Sequence, residues 1–147
     1  VNMEGSGDMY YKGANLLHMI RHLAQNDSLW HQILLGLQDT FGDKTATSDS
    51  VEQYMDERIG VDLEPICVIY LRHSGLPILQ YRYQGEQLHL RWKASSEGFS
   101  MPVDVRLSSG DFRRVLIDED WTSIPWEEDV SMEVHPDYYI LSERVNE

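Results

Sequence analysis

The spacing of the apolar residues changes once along the chain, at Gly75-Leu76-Pro77, and that switch restricts the fold to a helical part followed by a β part. Before it, from about Tyr10, the apolar residues recur at helical spacing. Ala14, Leu17, Ile20 and Ala24 form one row, with Leu16, Ile20 and Leu23 beside it. Asn26-Asp27-Ser28 breaks the pattern with cap-forming residues, and Leu29, Trp30, Ile33, Leu34, Leu37 and Phe41 make a second stripe ending near Gly42. Thr47 or Ser48 is placed to cap a third helix carrying Val51, Tyr54, Met55 and Ile59, which Gly60 stops in a left-handed conformation. Asp62 caps a fourth, with Pro65 in its first turn and Ile66, Cys67, Tyr70 and Leu71 facing inward.

Beyond Pro77 the period is two. Leu79, Tyr81 and Tyr83, the turn Gln84-Gly85-Glu86, then Leu88, Leu90 and Trp92 read as a β-hairpin. Val103, Val105 and Leu107, the turn Ser108 to Asp111, and Phe112 to Ile117 repeat the arrangement. Val130, Met132 and Val134 predict a further strand, and Tyr138 to Leu141 another. The fold class is therefore α+β: an antiparallel bundle of about four helices, residues 1–76, followed by a small antiparallel β-sandwich or open barrel, residues 77–147. No Gly/Ser-rich linker separates them, so the two parts are expected to pack on each other.

The 147 residues hold 25 acidic against 12 basic side chains, a formal charge of −13, which disfavours a nucleic-acid partner. No stretch approaches the roughly 18 uninterrupted apolar residues of a membrane-spanning helix. Cys67 is the single cysteine; its apolar setting marks it as a small core residue, and no internal disulfide or cysteine-based zinc site is available. The chain begins at Val1, as expected of a processed protein or a piece of a longer one.

Few local patterns carry chemistry. His18-Met19-Ile20-Arg21-His22 places two imidazoles on one helical face, but Met19 stands where H-E-x-x-H metallopeptidases need a glutamate base, and no third ligand is indicated nearby. A polar helix face is the preferred reading, a weak metal site the alternative. Asp118-Glu119-Asp120 and Glu127-Glu128-Asp129 lack the spacing of a calcium loop and read as solvated charge. Trp92, Phe99, Trp121 and Trp126 read as packing residues before any platform for a sugar or peptide. From spacing alone, Tyr10 packs at the start of a helix.

One longer constellation changes that reading. Met9-Tyr10-Tyr11-Lys12-Gly13-Ala14, followed by Leu16-Leu17-His18-Met19-Ile20-Arg21, resembles the Y-x-K-G-a-x-x-L-x-x-L/I-R stretch of the aminopeptidase N-like zinc metallopeptidases, the gluzincins that include leukotriene hydrolase. The resemblance continues through Thr47-Ser48-Asp49, Gly60-Val61-Asp62-Leu63 and Tyr70-Leu71-Arg72-His73-Ser74-Gly75-Leu76-Pro77, the last similar to the W-x-x-x-x-G-x-P motif that precedes a β-sandwich in that family. Tyr70 replaces the usual tryptophan, and Ile66-Cys67 the usual phenylalanine.

The resemblance implies that residues 1–76 end a peptidase domain and that Tyr10 donates a hydrogen bond to the oxyanion formed when a zinc-held water attacks a peptide. Tyr11 falls at the variable position of the motif. Lys12 reads as a solvated charge, and Gly13 as a point of close helix approach. H-E-x-x-H, the later glutamate ligand and the G-x-M-E-N substrate anchor are all absent. Zinc and peptide substrate accordingly belong to the parent enzyme, and this chain by itself is expected to hold no metal and to be inactive. The alternative is a non-catalytic helical plus β interaction module. A first helix freed of its domain would expose its stripe, favouring self-association.

Overall fold

The structure, a computed structural model, describes residues 8–107, 110–126 and 131–146. Helix α1 spans Asp8–Ala24, α2 Asp27–Phe41 and α3 Ser48–Ile59; a short α4, Glu64–Cys67, runs directly into a π-helical turn, Val68–Arg72. The capping chemistry follows the sequence. The Asn26 side chain accepts from Leu29 N at 3.0 Å at the start of α2. Thr47 and Ser50 form a reciprocal capping box at α3, and Gly60 ends α3 at φ +75°. At α4 the N-cap is Leu63, which offers no side-chain cap; Asp62, expected to cap, stands one residue earlier, and its carboxylate accepts from Glu64 N at 3.1 Å.

The buried stripe of α1 is narrower than its apolar residues suggest. Leu16, Met19, Ile20 and Leu23 are buried, whereas Ala14 and Leu17 lie outside the core. In the last helical segment Ile69 takes the inward place expected of Leu71, which faces outward; Val68-Ile69-Tyr70-Leu71 is apolar throughout, so its sequence does not choose between them.

Seven strands follow among the described residues: β1 Ile78–Gln84, β2 Gln87–Lys93, β3 Met101–Leu107, β4 Arg113–Ile117, β5 Thr122–Pro125, β6 Met132–Val134 and β7 Leu141–Arg144. One sheet has the order β5-β2-β1-β7 and the other β4-β3-β6. The first hairpin closes with Gln84 opposite Gln87, and Gly85 supplies the left-handed residue, φ +58°, that so short a connection requires. Val103 pairs with Val115 in the second. Every pairing is antiparallel except β1 with β7, which is parallel. The last strand begins at Leu141, after the stretch from Tyr138 expected to be extended; Tyr138 N is instead turned back onto His135 O. Ser108, Ser109, Val130 and the run Glu127-Glu128-Asp129 lie outside the described residues.

A single apolar cluster joins the helices to both sheets, from Leu16 and Ile20 of α1 to Trp92, Phe99, Val103 and Tyr138 of the β part. Polar ties cross the same seam. The Tyr70 hydroxyl donates to Tyr139 O at 2.6 Å, and Arg114 donates to carbonyls at the end of α1, Leu23 O at 2.9 Å and His22 O at 3.3 Å.

Candidate functional site

Tyr10 stands in the first turn of α1 and is 74% exposed, so its phenol is not a packing group among the described residues. Tyr11 beside it is equally exposed. Lys12 is not a freely solvated charge. Its Nζ donates to His73 O at 2.6 Å, tying the start of α1 to the residue that ends the last helical segment, and partial burial lowers its pKa. Gly13 meets no described atom within 4 Å of where a Cβ would stand, so the close approach expected there is not seen; it occurs at Gly36, against Tyr54 of α3.

A second constellation lies at the other end of α1, where its last turns meet the loop after β6. His22 is flanked by two carboxylates. Its Nε2 lies 2.7 Å from Asp104 Oδ2 of β3, and its Nδ1 lies 3.3 Å from Asp137 Oδ2. Asp104 is almost fully buried and is also gripped by Arg114, whose Nε and Nη2 donate to its two oxygens at 2.8 and 3.0 Å. Burial alone would raise the pKa of Asp104, but Arg114 and His22 outweigh it and hold the carboxyl below its ordinary range.

Asp137 is held from its other oxygen by His18 Nε2 at 3.0 Å, an interaction that lowers its pKa. His135 completes the group. Its ring stacks on His22 with centroids 4.1 Å apart, Phe112 meets it edge-on, and its Nδ1 lies 3.8 Å from Asp137 Oδ2. Burial and the neighbouring His22 lower its pKa. One ligand-capable atom from each of His22, His135 and Asp137 falls within 4.8 Å of the others.

The two histidines singled out four apart on α1 are thus both engaged, but they do not converge as a peptidase zinc pair. His18 orients a carboxylate, and His22 points one nitrogen into a buried ion pair. The zinc of the peptidases that the sequence resembles does not fit these residues, since neither the glutamate base nor the paired histidine geometry is present. Sequence spacing missed His135 and Asp137 as neighbours of His22; the one local signal was a histidine two residues before an aspartate in a Pro-containing turn.

The remaining candidates are structural. Glu119 Oε2 accepts from Gly98 N at 2.7 Å, and Asp118 Oδ1 from Asp120 N at 2.9 Å, so this acidic run shapes its loop. Trp92, Phe99 and Trp126 are buried, whereas Trp121 is only partly so and lies 4.5 Å from the guanidinium carbons of both Arg82 and Arg91. No helix among the described residues is long and apolar enough to cross a membrane.

The architecture is that of an α+β protein, three helices and a short helical coda set against two small sheets. Comparison with protein-family models and with curated proteins finds no match to this chain.

Proposed function

We propose that this chain is the C-terminal portion of an aminopeptidase N-like zinc metallopeptidase, an enzyme removing N-terminal residues from peptides, and that Tyr10 is its oxyanion-binding phenol. The observation that carries the reading is the exposure of Tyr10 in the first turn of α1, within the Y-x-K-G motif Tyr10-Tyr11-Lys12-Gly13. A packing tyrosine would be covered by its own fold; this one presents its hydroxyl outward from a helix whose other face is fixed in the core. Leu17, Leu34 and Leu35 are likewise exposed on α1 and α2, an apolar surface suited to the remainder of a peptidase domain.

The contribution of Tyr10 is confined to one hydrogen bond. A phenol is neutral at pH 7 and a good donor, and near a helix N-terminus it lies where the backbone dipoles favour negative charge. It donates to the substrate carbonyl oxygen as charge accumulates there, stabilising the tetrahedral state more than the bound peptide. Lys12, anchored on His73 O, holds the first turn of α1 against the end of the helical layer and so fixes where Tyr10 stands.

The coding sequence upstream of Val1 is expected to contain an in-frame H-E-x-x-H. In the enzyme containing both, Tyr10→Phe should lower kcat by about 10²–10³-fold with a much smaller change in KM. An unchanged kcat removes Tyr10 from the mechanism.

A further inference from the structure

We propose that His22, His135 and Asp137 form a divalent transition-metal site of the zinc class at the seam between α1 and the β part, with Asp104 as the outer carboxylate partner of His22.

The hydrogen bonding assigns the protons. An ionised carboxylate only accepts, so the 2.7 Å contact between His22 Nε2 and Asp104 Oδ2 puts a proton on Nε2; Nδ1, 3.3 Å from Asp137 Oδ2, is then the nitrogen that a metal would take in exchange for any proton it shares with that carboxylate. His135 Nδ1 accepts from Asp137 N at 3.3 Å, a long hydrogen bond that a metal would have to replace to use the single lone pair of that nitrogen. Asp137 Oδ1 is occupied by His18 Nε2, so its Oδ2 is the oxygen turned toward both rings. Two imidazole nitrogens and a carboxylate oxygen thus lie together, each within 4.8 Å of the others. A proton on His22 Nδ1 would join only that ring to Asp137; a divalent metal would join all three groups.

The dimensions require a small movement, since the stacked rings of His22 and His135, with centroids 4.1 Å apart, must part for both nitrogens to point at one ion. Tetrahedral zinc with bonds of about 2.0–2.1 Å sets its ligands about 3.3 Å apart. The oxygen of Asp137 lies 3.3 Å from one nitrogen and 3.8 Å from the other. Two nitrogens and one oxygen are a donor set suited to zinc, and three protein ligands leave a fourth position for water.

The surroundings have the form of a supported site. A ligating histidine ordinarily donates its other N–H to a carboxylate, which fixes its tautomer and orientation. Here that carboxylate is Asp104, buried and locked in turn by the two donors of Arg114. The ligands are only partly covered, with side-chain exposures of 17% for His22 and 35% for Asp137, and these two border a pocket of ≈ 590 Å³ that also touches His18, Arg21 and Gln25. An ion therefore has a path in. This assignment replaces the sequence expectation that the chain alone holds no metal, and it does not depend on the peptidase reading.

The test uses the whole chain, stripped with a chelator and titrated with zinc against a chromogenic competitor, with Co²⁺ absorption as a second readout. One equivalent of zinc should bind, raising the thermal midpoint. Asp137→Asn and His135→Gln should each weaken binding by more than about tenfold, with circular dichroism verifying the fold. His31→Gln and His89→Gln, altering histidines outside the cluster, should leave binding unchanged. Absence of stoichiometric binding, or binding that survives either Asp137→Asn or His135→Gln, overturns the proposal.

Discussion

Cys67 shows how a single side chain's chemistry is set by what lies around it. It is buried beneath the π-helical turn, and desolvation, reinforced by the negative charge of Glu52, pushes its thiol up to about 12. A thiol with so little thiolate at neutral pH and no access to solvent is a packing group and a poor nucleophile. A disulfide reagent at mildly alkaline pH should leave the native protein unlabelled and modify one equivalent after unfolding in urea. Labelling of the folded protein at the rate of a free thiol would show that this part of the core opens. This residue was legible in the sequence, because an apolar neighbourhood is local information. Asp104 was not: the pattern Val103-Asp104-Val105 marks it as a strand residue on the polar face, yet both faces of β3 are covered there, and its partner His22 is 82 positions away.

At the level of elements, the contact between α2 and α3 turns on Gly36. A Cβ at this position would strike the Tyr54 hydroxyl and approach its Cζ to 3.1 Å. Tyr54 has little room to yield, since Phe41 packs edge-on against its ring and the Arg58 guanidinium lies 3.5 Å from its centroid. Alanine in place of glycine inside a helix gains roughly 1 kcal/mol from backbone entropy, whereas overpacking costs about 1–3 kcal/mol. Gly36→Ala should therefore be destabilising on balance. In a Tyr54→Phe background, where the striking oxygen is absent, the same change should become neutral or stabilising. Denaturant titrations of the four proteins read this coupling, and an equal effect in both backgrounds would show that the helices simply move apart.

Elements whose cause is local were readable in this way: the Thr47–Ser50 cap, Gly60 and the Gly85 hairpin all follow from a few adjacent residues. Strand β5 escaped notice because it is four residues ending in Pro125, and β7 was expected three residues too early, from Tyr138, because its pairing with β1 is chosen by tertiary packing. The His22–His135–Asp137 cluster is hidden for the same reason, since only the docking of the loop after β6 onto α1 brings its members together.

For the whole molecule, the question is whether the change of period at Gly75-Leu76-Pro77 separates two folding units. The packing says that it does not. Leu16, Met19, Ile20 and Leu23 belong to the same buried cluster as Trp92, Val103 and Tyr138. Across the seam, the end of α1 is capped by Arg114, Asp104 of β3 takes a further contact from His22 of α1, and Tyr70 reaches Tyr139 O. Separating the halves would expose apolar surface on both and leave Asp104 without one of its donors. Because the net stability of a domain this size is only about 5–15 kcal/mol, loss of that shared core would take a large share of it. Helical circular dichroism, dominated by residues before Gly75, and, in a Trp30→Phe variant, fluorescence from Trp92, Trp121 and Trp126 of the β part should consequently lose their native values at the same urea concentration and with the same slope. If the helical signal melted first while the tryptophans kept their native emission, the seam would be a boundary between autonomous units and the shared core would not be what holds the chain together.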